Sequence, residues 1–228
     1  QLNLLNASQY VDLLKDFAAT SNLPLPAKFS GPTVLVDSNN WQSQIFRQAM
    51  VSENDINISG GSEKVVYNFS LGFVNQQAIV QNLTNRRLNA RFGLDETIGR
   101  FHLGQSLAIR YTKTTGANGA GGGPYSNIGD AIGYAPYKPV HDPSIPGGYS
   151  IVSNIEDFSN VANPLQAVNL THSVNSEFVF FPQAFAEVNL IRGLKFRSQF
   201  SAEIGGGKNT VYQEPYVAYH YLAQIRYG

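Results

Sequence analysis

Beyond residue 55 the apolar positions fall mostly on every second residue. In "SGGSEKVVYNFSLGFVNQQ" (59–77), Val65, Tyr67, Phe69, Leu71 and Phe73 alternate with Val66, Asn68, Ser70 and Gly72. A period of two is that of a β-strand, whose successive side chains point to opposite faces. The pattern returns at Leu88, Ala90, Phe92 and Leu94, alternating with Arg87, Asn89, Arg91 and Gly93. It returns again at Phe101, Leu103, Leu107, Ile109 and Tyr111, where Gln105 interrupts the apolar row. After a weaker stretch over 176–190, Leu194, Phe196, Phe200, Ala202 and Ile204 alternate with Lys195, Arg197, Gln199, Ser201 and Glu203. The spacing predicts strands over about 54–112 and about 174–228.

Only residues 7–19, "ASQYVDLLKDFAA", carry a good helical period, with Tyr10, Leu13, Leu14 and Phe17 on one stripe. Asn6 or Ser8 can cap its start. Pro24, Pro26, Gly31 and Pro32 make 20–40 a loop, and "WQSQIFRQA" (41–49) reads as a short helical turn. Residues 7–50 are thus a helix-and-loop segment.

The connections sort by length. Turns at 60–63, 95–100 and 191–193 are short; loops at 75–85, about 113–173 and 205–214 are long. Consecutive antiparallel strands place their turns at alternating ends, so every short connection shares one end and every long one the other. Outer-membrane barrels obey that rule, with short periplasmic turns, long extracellular loops and strands alternating apolar-out and polar-in. The expected fold is all-β: an antiparallel transmembrane β-barrel segment with long extracellular loops and one short helix. On this reading Val65, Tyr67, Phe69, Leu71 and Phe73 face lipid, and Tyr67, Tyr111 and Tyr227 sit in interfacial girdles. Arg87, Asn89, Arg91, Arg110, Lys195, Arg197 and Glu203 face the lumen or a plug within it.

Composition fits. Charged residues are only 14% of the 228, against roughly 25% in ordinary soluble domains. The formal net charge is +0, so no nucleic-acid partner is implied. No apolar run approaches the length of a transmembrane helix. With no cysteine and four scattered histidines (His102, His141, His172, His220), thiolate chemistry and paired-histidine metal sites are excluded, and no cofactor is expected. "GGGKNT" (205–210) lacks the spacing and following helix of a phosphate loop. The neighbouring acids Asp95/Glu96 and Glu156/Asp157 read as solvated turn charges rather than a catalytic pair. No catalytic site is expected. Tyr125, Tyr134, Tyr137, Tyr149 and Phe158, in the long loop, either pack against one another or contact substrate or partner at the extracellular mouth.

"NLLNASQYVDLL", "WQSQIFRQA", "NISGGSEKVVYNFSLGFVNQQAIV" and "RRLNARFGLD" follow one another in an order that resembles the SusC/RagA family of TonB-linked outer-membrane transporters. Ser59, Gly60, Gly61, Tyr67, Ser70, Leu71, Gly72, Phe73, Asn75 and Ile79 match its hairpin pattern, while Ala78 stands where the family usually has Gly. "NPLQAV" (163–168) and "LIRGLKFRSQFSAEI" (190–204) resemble later family segments. The resemblance implies energised import of oligosaccharides or peptides, with a SusD-like surface lipoprotein and the TonB complex as partners. Family barrels have about 22 strands around a plugged lumen; the six or seven expected here make this the early part of such a barrel, without its plug. A small self-contained barrel, a soluble β-sandwich and a structural subunit of a larger outer-membrane assembly are the rival readings.

Overall fold

The computed structural model describes residues 1–30, 38–116, 127–152, 157, 159 and 161–215. Its body is one antiparallel sheet. Strands β1 (Val51–Gly61), β2 (Val65–Gln77), β3 (Thr84–Ile98), β4 (Phe101–Thr115) and β5 (Thr171–Ile191) pair in sequence order, each with the next. β6 (Leu194–Ser201) and β7 (Ile204–Gln213) both pair with β5. The sheet is open, with β1 at one edge and the β6–β7 path at the other.

β6 and β7 are one strand path. Gln183 faces Ser201 and Phe180 faces Ile204, so the register is the same on both sides of the gap. The gap lies opposite Phe181 and Pro182. Proline has no N–H to donate, so Ala202 donates to the Pro182 carbonyl at 3.1 Å without a bond in return. The expected loop over 205–214 is therefore corrected: Gly205, Gly206 and Gly207 are strand residues, paired with Val179, Phe178 and Glu177. The strands expected over 174–228 begin at Thr171, and the last described one ends at Gln213.

Residues 62–64, 99–100 and 192–193 join strands at one end of the sheet. Gly99 (φ 60°) and Gly193 (φ 84°) supply the left-handed backbone that two of these tight turns need. Residues 78–83 and 116–170 connect strands at the opposite end.

A small helical cap sits at that loop end. α1 (Ala7–Thr20) starts in a capping box between Asn6 and Gln9, and α2 (Trp41–Ile45) is capped by the Asn40 side chain. The long insertion is partly helical, with α3 (Asn127–Gly133) and α4 (Pro164–Leu170), so one short helix becomes four among the described residues. Trp41, Ile45, Ala135, Val152, Leu165 and Val168 form the cap's main core. Val11, Leu14 and Phe29 form a second cluster beside it. A bridge between Phe46 and Val80 ties α2 to the 78–83 loop, fixing the cap to the sheet.

Candidate functional site

The strand register decides which side chains share a face. Phe69 is opposite Ile58 and Phe92; Phe92 is opposite Leu107; Leu71 is opposite Ile56 and Ala90. Val65, Tyr67, Phe69, Leu71 and Phe73 thus belong to one continuous apolar face, which runs on through Ile109, Phe180 and Phe200. No described residue covers it: Phe69 is 37% exposed, Phe196 59% and Phe200 65%. Soluble monomers rarely leave apolar patches of more than a few hundred Å² open to water. No described helix is long and apolar enough to cross a membrane.

Charges bound this apolar band. On the apolar face of β3, Leu88, Ala90, Phe92 and Leu94 lie between Arg86 and Glu96. At about 3.3 Å per residue and a tilt near 40°, that spacing makes a band roughly 25 Å tall, the height of the apolar belt of an outer-membrane barrel.

The opposite face is polar and concave. Asp55, Asn57, Ser70, Asn89, Arg110 and Glu203 line one hollow of about 510 Å³. Asn68, Asp95, Gln183, Phe185, Arg197 and Gln199 line another of about 500 Å³, and Arg91 borders both. Arg87, Asn89, Arg91, Arg110, Lys195 and Arg197 all stand on this face by register. Glu203, at the gap between β6 and β7, lines the same concavity. Arg110 pairs with Glu177 at 3.7 Å, and Glu187 holds Lys195 at 2.8 Å and Arg197 at 4.0 Å. Arg87 and Arg91 make no ion pair among the described residues.

One cluster on this face has no local signal in the sequence. Phe185 lies opposite Gly104, where a Cβ would collide with its ring at 2.1 Å. The Arg197 guanidinium stacks 3.8 Å from that ring's centre and His102 meets the ring edge-on at 5.1 Å. Glycine makes room for the flat ring, and the arginine covers it. Gly72 and Gly93 likewise lie beneath Asp55 and Asn68, their direct cross-strand partners.

In the cap, Tyr134 is 2% exposed; its ring meets Trp41 edge-on at 4.7 Å and its hydroxyl donates to the Ser150 carbonyl at 2.6 Å. Tyr149 is 9% exposed and accepts a bond from Asn169. Both are packed inside the cap rather than displayed on it. Tyr137 is half-buried against Tyr10 and Phe29, and donates to Asp157. Tyr125, Phe158, Glu156, Tyr227 and His220 lie outside the described residues.

Asp157 corrects the solvated-turn reading. It is 1% exposed and paired with Lys28 and Lys138. Burial first, and the Asp157 carboxylate second, push the Tyr137 phenol well above its ordinary value. Burial also raises the Asp130 carboxyl, on α3, to about 6. No group of three potential metal ligands occurs among the described residues.

No family profile matches the sequence. It is 26% identical over 201 aligned residues to the TonB-dependent receptor SusC of Bacteroides thetaiotaomicron, covering 78% of this chain and 19% of that protein. The fold matches the RagAB peptide importer in its closed-closed state at TM-score 0.65 and 15% identity, over 93% of this chain and 27% of the other. The open-open state matches at TM-score 0.61 and 18% identity, again over 93% of this chain and 24% of the other. The chain thus spans about a fifth of the curated relative and about a quarter of the structural ones. The fold is that of part of those structures.

Proposed function

We propose that this part of a SusC/RagA-family protein forms wall and loop cap of a TonB-powered outer-membrane importer. The reading rests above all on the uncovered apolar face, bounded by charges at the height of a membrane band. The loop-bearing end with its cap faces the cell exterior and the short turns face the periplasm. The concave polar face, with Arg87, Asn89, Arg91, Arg110, Lys195, Arg197 and Glu203, looks inward to a plug or lumen. No bond in the cargo is made or broken; the work is gated binding and release.

RagAB is a peptide importer, which supports peptides as the cargo class; oligosaccharides are the other class that the sequence resemblance implies. They also suggest a SusD-like lipoprotein seated over the cap and the TonB complex on the other side. With Tyr134 and Tyr149 packed inside, partner contact falls to exposed cap residues rather than to those rings.

Topology is the direct test. The chain has no cysteine of its own, so single replacements report cleanly. In intact cells a membrane-impermeant thiol reagent should label Pro146→Cys and spare Glu63→Cys and Arg192→Cys until the outer membrane is opened. The reverse order would reject the orientation, and equal labelling of all three would reject the membrane span.

A further inference from the structure

The apolar face carries few charges, and their placement is not random. Arg86 is directly opposite Lys113; Lys113 is opposite Ser176; Ser176 is opposite Lys208. These four residues form one lateral row across β3, β4, β5 and β7, with Asn75 of β2 next in line. Arg86 bonds Asn75 at 3.3 Å, and none of the three cations pairs with a carboxylate among the described residues. On the polar face Arg110, Lys195 and Arg197 each have a carboxylate partner, while Arg87 and Arg91 have none among the described residues. Among the described strand residues Glu96 is the one acid on the apolar face and lies at the far, short-turn end; Glu214, just beyond β7, pairs with His172 at 2.8 Å.

Two flanking rows define the setting. Toward the short turns come Phe73, Leu88, Tyr111 and Phe178, the rim of the apolar band. Toward the loops come Thr84, Thr115, Val174 and Thr210, with Thr84 and Thr115 in hydroxyl contact at 2.5 Å. A stack of aromatic rim, unpaired cations and hydroxyls is matched to a lipid: acyl chains below, an anionic headgroup at the cations, sugar or glycerol hydroxyls above.

We infer that the row Arg86–Lys113–Lys208 binds the phosphate-bearing headgroup of a membrane lipid in the leaflet on the loop side. The inference rests on the membrane-wall reading above. Each basic residue near a bilayer surface strengthens anionic-lipid binding about fivefold, so the three together are expected to contribute on the order of a hundredfold.

The test uses the whole barrel protein that carries this chain, in phosphatidylcholine nanodiscs with or without phosphatidic acid. Lipid retained after detergent extraction is counted by native mass spectrometry. Wild type should retain phosphatidic acid over phosphatidylcholine. Arg86→Gln/Lys113→Gln/Lys208→Gln should lose most of that preference, and Lys208→Gln alone about fivefold of it. Arg110→Gln/Lys195→Gln, with similar charge loss on the polar face, should retain it. Equal retention by the wild type and the triple variant overturns the site. So does full competition by inorganic phosphate, which would mark a free-ion site. If the triple variant fails to insert, Lys208→Gln decides by the same criteria. Failure of the membrane reading itself shows elsewhere, as normal insertion of Phe69→Arg.

Discussion

The cap and the sheet solve the same problem in opposite ways. In the cap, apolar side chains turn inward: Ile45, Ala135 and Val152 are 0% exposed and Trp41 is 2%. In the strands, Val74 alone counts among the buried hydrophobic residues. The cap hides its apolar surface by folding on itself, as a small soluble domain does. Among the described residues the sheet has no second layer, so its apolar face is suited to a medium that is itself apolar. On the proposed reading, one chain contains a water-built module fixed to a lipid-built one, with the row of Arg86, Lys113 and Lys208 at their boundary.

Substitutions of equal severity should therefore break different things. The largest effect is expected at Trp41, whose indole fills the cap core and donates to the Ala135 carbonyl at 3.1 Å. Trp41→Ala should cost the cap about 4 kcal/mol, read as accelerated hydrogen exchange in α2, α3 and α4. Protection of the strands should be unchanged.

Phe69, near the middle of the apolar band, behaves in the reverse way. Phe69→Arg should cost about 3 kcal/mol in barrel folding into bilayers and leave cap exchange as it is. Ser70→Arg, one residue on but facing the concavity, should cost far less.

A smaller effect is expected from pH, and only in the cap. Burial holds the Asp130 carboxyl at about 6 against an ordinary 3.8. The folded cap therefore binds a proton more tightly than the unfolded chain. Its contribution is complete below pH 3.8 and fades as pH rises through about 6. Exchange around α3 should speed up over that interval, and Asp130→Asn should flatten the profile.

The sequence already carried most of the sheet. Period two marked which residues share a face, and the sorting of short and long connections marked the two ends. Those signals are local, and a barrel wall is built from them. What failed was non-local. Gly205–Gly206–Gly207 looks like a loop tip by composition, but β5 pairs with it residue by residue. The interruption lies instead at Ala202, opposite Pro182, a consequence of a proline twenty residues away. Asp157 looked solvated because nothing nearby in the sequence announces Lys28 and Lys138, which reach it from other segments. Tyr134 and Tyr149 were legible as loop aromatics, but their burial follows from Trp41 and Ser150 meeting them in space. The Phe185–Arg197–Gly104 stack depends on register, which alternation alone does not fix.

On the proposed reading the face bearing Phe69 and Phe92 meets lipid. A nitroxide label on Phe92→Cys, in the whole barrel protein reconstituted in bilayers, measures the medium directly through collisions with oxygen and with a water-soluble nickel chelate. High oxygen and low nickel accessibility are expected at 92, and low oxygen accessibility for a label on Arg91→Cys. Free access of the nickel chelate to position 92 would contradict it.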